Sequence, residues 1–241
     1  MYEEILPDLK ELSLRGQIKA VGSGANSVGK TLQHALNIQH KTTAKNQYKG
    51  WTITSTTMKS ASRTNLFASV PDWNISFIKS STELVDKYGV EDITGKYVRK
   101  LFCTVKSDRP NTFGLKLSVN RVTQNISEVH EAENENVSLC QWDIDTIRQK
   151  LQRIDKSVII TASQHKKTDG VYYHYQVAEF MSKPSIDRFL QQAEFGSITL
   201  DHLISKSHGS ATAREQGPLF KIAKHARAEL YESYHKYNLM D

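Results

Sequence analysis

Gly24-Ala25-Asn26-Ser27-Val28-Gly29-Lys30-Thr31 matches the pattern GxxxxGK[ST] at every defined position. In that pattern backbone N–H groups cradle phosphates, the lysine reaches the terminal phosphates and the last hydroxyl holds Mg²⁺. Ile18–Val21 would be a very short preceding strand and Leu32–Leu36 the following helix. The second half of a nucleotide site, an apolar strand ending in Asp, is missing. The best later strand, Ser157–Thr161, runs into Ala162-Ser163, and residues 137–142 before Asp143 are a poor substitute. The alternative is a glycine turn that feeds a helix and places Lys30 near nucleic-acid phosphates. Other chemistries find less support. The nine histidines show no HxH, HExxH or cysteine-paired spacing, so His34, His40, His202 and His208 are expected at the surface or in hydrogen bonds. Cys103 and Cys140 cannot form a disulfide framework or a four-cysteine site and are expected as reduced, buried thiols. No GxSxG occurs. Asp8-Leu9-Lys10 spells acid-x-Lys, but on a helix these positions do not line one strand face.

The stretch Gln47–Ser55 (QYKGWTITS) organises the rest. It predicts a turn at Lys49-Gly50 and then a strand. Strand side chains alternate with period two, so Trp51 and Ile53 would face a core while Thr52, Thr54 and Thr56 share the other face. Around it the charge is uneven. No Asp or Glu occurs between Glu11 and Asp72, yet those 60 residues hold Arg15, Lys19, Lys30, Lys41, Lys45, Lys49, Lys59 and Arg63. This local +8 exceeds the net charge of +6 for the whole chain. The pI near 9.1 suggests a polyanionic partner, and the concentration of charge suggests nucleic-acid phosphate.

The remaining elements must position that strand. Residues 3–15 form an expected amphipathic helix with Ile5, Leu9 and Leu12 on one face, Pro7 in its first turns and Gly16 as its break. Val171–Ala178 has strand propensity after a turn at His165–Gly170. Its Tyr172, Tyr173 and Tyr175 are packing residues before they are base-stacking ones. Pro184 would open a helix carrying Ile186, Phe189, Leu190 and Ala193, ended by Gly196. Ile198–Ile204 is another strand, Lys206–Gln216 a flexible loop, and 222–237 a terminal helix. Glu128–Glu135 is expected as a solvated acidic loop. Strands and helices without strict alternation indicate an α/β fold with a central mixed sheet flanked by helices. The 241 residues are taken as a single domain, with an N-terminal helix at 3–15, a core at about 16–222 and the terminal helix after it. The N-terminus opens acidic with Glu3 and Glu4, and no apolar run has the length of a membrane span, so the cytoplasm is the expected compartment.

Several of these segments, in order, resemble the MvaI/BcnI family of type II restriction endonucleases. Its Gly-x-Gly-Lys-Thr-Leu-Glu is similar to Ser27-Val28-Gly29-Lys30-Thr31-Leu32-Gln33. Its Asp, four residues and Glu-x-Lys fall on Gln47 and Thr52-Ile53-Thr54. Its Leu-Phe-x-x-x-Pro is Leu66-Phe67-Ala68-Ser69-Val70-Pro71. Tyr88-Gly89, a strand pair at Leu101–Val105 and Phe113–Leu117, Trp142-Asp143 before a helix with Ile147 and Leu151, and an apolar strand at Val158–Thr161 follow. The C-terminal His-x-x-Gly-x-x-Phe/Leu-Arg-Ile falls on Arg214-Glu215-Gln216-Gly217-Pro218-Leu219-Phe220-Lys221-Ile222. The match runs from about residue 15 to about 225.

The resemblance implies a restriction-endonuclease-like core, duplex DNA as partner and, in an active member, Mg²⁺ held by carboxylates with a lysine polarising the attacking water. The departures remove charge. Gln33, Gln47, Thr52 and Thr54 stand where the family has Glu, Asp, Glu and Lys. Ala68 stands where a member has histidine, and Arg214 replaces the C-terminal histidine. Mg²⁺ prefers hard anionic oxygens, whereas threonine keeps the strand and deletes the charge. The expectation is a DNA-binding protein without an intact catalytic or metal site and without a cofactor. Lys30, Lys41, Lys45, Lys49, Lys59 and Arg63 would contact phosphates, and Arg214 and Lys221 would read a groove. An active nuclease or a methyltransferase is a possible partner. The alternatives are an active Mg²⁺-dependent endonuclease with displaced ligands, for which Asp72 and Glu215 are the first suspects, and a phosphate-loop nucleotide binder.

Overall fold

Trp51 and Ile53 are buried while Thr52 and Thr54 are not, so the alternation in the sequence survives as strand β3 (Trp51–Thr57). The computed structural model describes residues 2–38, 47–123, 125–131 and 136–241. They group into two compact units, one of Met1–Ala61, Ile154–Lys183 and Tyr231–Asp241, the other of Ser62–Arg153 and Pro184–Leu230.

In the first unit β3 follows β2 (Gln47–Tyr48) through a two-residue turn. Lys49 and Gly50 have φ of 46° and 80°, the left-handed pair that matches the twist of a tight hairpin. On its other side β3 runs parallel to β10 (Lys156–Lys167), which pairs antiparallel with β11 (Gly170–Pro184). Strand β1 (Ile18–Lys19) and β15 (Tyr231–Asn238) both pair with β11. This is the expected mixed sheet, with β3–β10 as its parallel step. Helices α1 (Leu6–Leu14) and α2 (Ser27–Ala35) cover one face. Leu9, Leu12, Val28 and Leu32 share a core there with Trp51, Ile53, Val158 and Ile160. Each such side chain contributes about 1.5–3 kcal/mol by leaving water. The expected terminal helix is corrected. Residues 224–226 form a 3-10 turn, helix α6 is only Arg227–Leu230, and the chain then extends as β15. Tyrosine-rich YESYHKYN has strand propensity, and Tyr237 packs against Tyr2 and Phe180.

The second unit holds two sheets. One has the order β4 (Thr64–Ala68), β14 (Leu219–Ile222), β12 (Ile198–Lys206), β6 (Arg99–Val105), β5 (Val90–Glu91), with β13 (Arg214–Glu215) also on β12. The other is a meander of β7 (Leu115–Asn120), β8 (Asn125–Glu131) and β9 (Asn136–Asp143). Two expectations change here. Leu101–Val105 and Phe113–Leu117 are not a laddered pair: β6 bonds to β12 and β5, β7 bonds to β8, and Leu117 N–H donating to Lys106 O (2.8 Å) links them. Glu128, expected in a solvated loop, is fully buried on β8, whose apolar Ile126 fixes which residues face inward; residues 132–135 of that stretch lie outside the described residues. Helix α3 (Ser81–Tyr88) is capped by Ser80 and α4 (Ile144–Gln152) by Asp143, each side chain accepting a backbone N–H in the first turn. Ile147 and Leu151 are buried, as their spacing predicts. Pro184 ends β11, and α5 (Ile186–Glu194) starts after Ser185 and stops before Gly196, whose φ is 71°. Phe67, Phe189, Phe220 and Trp142 form the aromatic centre of this unit. Among the described residues no helix is long and apolar enough to cross a membrane.

Candidate functional site

The first unit brings three of the four expected site positions onto one face. Gln47 is the ladder partner of Thr52, and Thr54 follows on the same side of β3. Gln33 is not with them. It is buried on α2, which packs on the Trp51 and Ile53 side, and its side-chain oxygen has no hydrogen-bond partner among the described residues. The donors offered where the resemblance places Mg²⁺ are thus two hydroxyls and an amide. They do not fit a hard dication that needs anionic oxygens. Among the described residues no group of three or more His, Cys, Asp or Glu has the geometry of a metal site. The nearest acid in register is on β11: Thr54 pairs with Ile159 and Ile159 with Glu179, which puts Glu179 two strand spacings away, ~10 Å. Its Oε1 accepts the Tyr234 hydroxyl (2.8 Å). Asp72 accepts the Asn74 N–H (3.0 Å), and Glu215 accepts the Ser81 hydroxyl.

The glycine-rich segment is built as a closed turn. Ser27 Oγ donates to Gly24 O (2.7 Å) and lies 2.7 Å from the Tyr173 hydroxyl. Thr31 Oγ1 donates to Ser27 O (2.7 Å) and accepts the Val21 N–H (2.8 Å), and the residue is fully buried. The hydroxyl that would meet Mg²⁺ in a nucleotide site therefore ties the loop to its own helix. Lys30 is exposed and lies across the loop, since a Cβ on Gly22 would sit 3.9 Å from Lys30 Nζ.

Acids from outside the basic window neutralise part of it. Arg15 pairs with Glu11 (2.9 Å), Lys19 with Asp169 (3.1 Å), Lys49 with Asp8 (2.6 Å) and Arg63 with Asp201 (2.8 Å). Lys30 and Lys59 are exposed and have no acid partner among the described residues. Lys41 and Lys45 lie outside the described residues.

On the second unit's larger sheet, β12 turns Thr199 and Asp201 to the side opposite its core-facing Leu200 and His202. Arg63 reaches both Asp201 oxygens (2.8 and 3.1 Å), Lys221 the second of them (2.8 Å), and Thr104 donates to the first (2.8 Å). Burial alone would push the Asp201 carboxyl up, but Lys221, Thr104 and Arg63 hold it below the usual carboxylate range. Arg214 is exposed on β13, opposite Ser205. Lys221, opposite Thr199, shares the Asp201 face.

On the core side, His202 Nε2 meets Glu128 Oε2 at 2.8 Å, and both side chains have no solvent exposure. Glu215 stands near them, half-buried, and burial raises its carboxyl above the usual value. Among the described residues Glu128 Oε1, His202 Nδ1 and Glu215 Oε1 have no hydrogen-bond partner. Burial together with Glu128 also pushes the Cys103 thiol to about 12 and raises Cys140; both are free thiols, Cys140 buried as expected and Cys103 only half-buried. Sequence reasoning missed this cluster and the Asp201 hub. The available signal was Asp201-His202 inside an otherwise apolar strand, ITLDHLIS, where a polar pair must be satisfied internally.

A search of curated proteins returned no match. Over 98% of its length the chain is similar to a solved structure described as restriction endonuclease MvaI with its cognate DNA substrate, covering 98% of that chain at 19% identity with a TM-score of 0.78. It is similar over 98% of its length to restriction endonuclease MvaI in the absence of DNA, covering 97% of that chain at 18% identity with a TM-score of 0.59. A profile of the MvaI/BcnI restriction endonuclease family matches residues 6–231, the whole span in which the ordered segments of the sequence fall. On that span the chain belongs to the MvaI/BcnI restriction endonuclease family.

Proposed function

We propose that this chain binds double-stranded DNA on a restriction-endonuclease scaffold and does not cleave it. One observation carries the second half of the statement: Gln47, Thr52 and Thr54 share a strand face and offer no carboxylate and no lysine. DNA as partner is supported by family membership and by the similar MvaI structure, which is described as a complex with cognate DNA. Exposed Lys30 and Lys59 supply phosphate contacts, with Lys41 and Lys45 from the same acid-free window. Lys49 and Arg63 join them by exchanging an intramolecular carboxylate for a phosphate. For exposed Lys49–Asp8 that exchange gives up about 1 kcal/mol or less. Arg214 and Lys221 are the groove readers, since Arg and Lys both recognise guanine O6 and N7. An active nuclease or a methyltransferase is the partner that would give such a binder a role in restriction.

The test is selection of bound duplexes from a random pool in Mg²⁺, with the ends of every recovered DNA sequenced. The expected result is an enriched site with intact ends. Cut ends at a fixed position would overturn the reading. A companion variant, Gln47→Asp with Thr52→Glu and Thr54→Lys, is expected to gain Mg²⁺-dependent cleavage. A second reading, an active nuclease with displaced ligands, draws on Glu179, which shares the Thr54 row of the sheet. It requires cleavage by the wild type that Glu179→Gln abolishes.

A further inference from the structure

Lys106 is a half-buried cation at the end of β6 with no acid partner among the described residues. It lines two adjoining hollows on the second unit. One, of about 500 Å³, is walled by Arg63, Thr104, Ser197, Thr199 and His225 as well as Lys106. The other, of about 420 Å³, shares Thr104 and Lys106 and adds Arg109 and Asn111. Neither lining contains a carboxylate. The acids close by are Asp201, already held by Arg63 and Lys221, and Asp108, against Gly196 on the rim. Arg63, Lys106, Arg109 and Lys221 against Asp108 and Asp201 leave an excess of two positive charges. Thr104 and Thr199 place hydroxyls beside the Arg63 guanidinium. A half-buried ammonium without a counter-ion is costly unless an anion approaches, and a tetrahedral oxyanion accepts from that ammonium, from the Thr199 hydroxyl, whose proton is not given to Asp201, and from the Arg63 guanidinium once it leaves Asp201.

The geometry points to the Lys106 hollow as a phosphate-binding subsite that takes a backbone phosphate of duplex DNA. This rests on the DNA-binding reading above and adds a contact that lies outside the basic window of residues 12–71. Lys106 anchors the phosphate, and Arg63 joins it once its partner Asp201 is left to Lys221. The phosphate contact is sequence-independent: it fixes register on the duplex and selects no base.

The experiment is fluorescence anisotropy of a labelled duplex with the full chain at several KCl concentrations, for wild type, Lys106→Ala and a control, Lys236→Ala on the terminal strand. Circular dichroism of each variant checks that it is folded. Removing one phosphate contact lowers the magnitude of the slope of log K against log salt by about 0.9. Lys106→Ala is expected to lose that amount and to bind more weakly on every duplex, while Lys236→Ala keeps the wild-type slope. A Lys106→Ala slope equal to wild type, with DNA binding retained, overturns the subsite and leaves the DNA-binding reading standing. No duplex binding by wild type at low salt overturns that reading and the subsite with it. A calorimetric arm with sodium pyrophosphate separates the source of the phosphate. Pyrophosphate binding that Lys106→Ala abolishes, with an unchanged DNA slope, assigns the hollow to a free phosphate compound and overturns the DNA contact.

Discussion

Glu128 and His202 bring opposite charges together where neither side chain touches solvent, and Glu215 adds a second carboxyl nearby. Removing one partner of such a pair leaves an uncompensated buried charge, which costs more than the intact pair contributes. His202→Ala should therefore destabilise the protein by about 3–5 kcal/mol, read from urea unfolding at neutral pH. The pH dependence has a definite sign. Burial by itself pushes His202 down, but the charge and hydrogen bond of Glu128, with Glu215 and Asp201 farther off, raise it above 6.5. Glu215 is raised above 4.5, chiefly by burial. A raised group contributes stability that is complete below its ordinary value and is lost as pH rises through the folded one. Glu215 begins to withdraw its share above 4.5 and His202 above 6.5. Asp201, held low, works in the opposite direction and withdraws its share only as pH falls below 3.8. The urea midpoint should fall between pH 6 and pH 9, and fall less in Glu128→Gln, where His202 has lost the charge that raises it. A flat wild-type midpoint across that range would mean that His202 is already neutral in the folded protein.

The Lys49-Gly50 hairpin and the Gly24–Thr31 loop are the elements that position the strand face and Lys30. Gly50 has φ of 80°, and a Cβ there would meet no atom within 4 Å. The penalty of Gly50→Ala is then backbone strain alone, about 1–2 kcal/mol, measurable as a lowered thermal midpoint. Thr31→Val removes one buried and one half-buried hydrogen bond and leaves the Val21 N–H without its acceptor, for about 1–3 kcal/mol. If the loop were a nucleotide site, Thr31→Val would abolish nucleotide binding; a wild type that shows none is the expected result. At this scale the sequence was informative wherever one local pattern decides the element. Trp51/Ile53 against Thr52/Thr54 set β3, Asp143 with Ile147 and Leu151 set α4, and Lys49-Gly50 set the turn. It misled where tertiary pairing decides. Residues 231–238 are compatible with helix until β11 offers an edge, and Glu128 looks solvated until His202, 74 residues away, arrives opposite it. The strand face shared by Gln47, Thr52 and Thr54 was legible because a hairpin fixes it. The side of the sheet on which Gln33 lies was not legible, because the side a helix packs on is a tertiary fact.

Across the whole molecule the useful quantity is the part of the charge that remains unpaired. The basic window carries +8 in sequence, but Arg15, Lys19, Lys49 and Arg63 are each met by a carboxylate from outside it. A pairing carboxylate screens its cation from a distant polyanion, so these four add little to long-range attraction and act only after the pair opens. Lys30 and Lys59 carry full exposed charge and should each add a full contact to the salt dependence, beside Lys41 and Lys45. Each phosphate neutralised releases condensed counter-ions and adds about 0.9 to the slope of log K against log salt. Replacing Lys30 and Lys59 together by Ala should lower the slope by about 1.8 and weaken binding to every duplex alike. Removing Lys19, with its charge already met by Asp169, should change the slope by well under one contact. Lys221→Ala should behave differently again. It takes one of two cations from Asp201 and, on the DNA-binding proposal, a groove reader from the DNA, so its loss should depend on the sequence of the duplex by about 1–3 kcal/mol at the base it reads. If Lys30, Lys59 and Lys221 all weaken binding uniformly, then Lys221 is a phosphate contact and the base-reading group must be sought elsewhere, first at exposed Arg214 on β13.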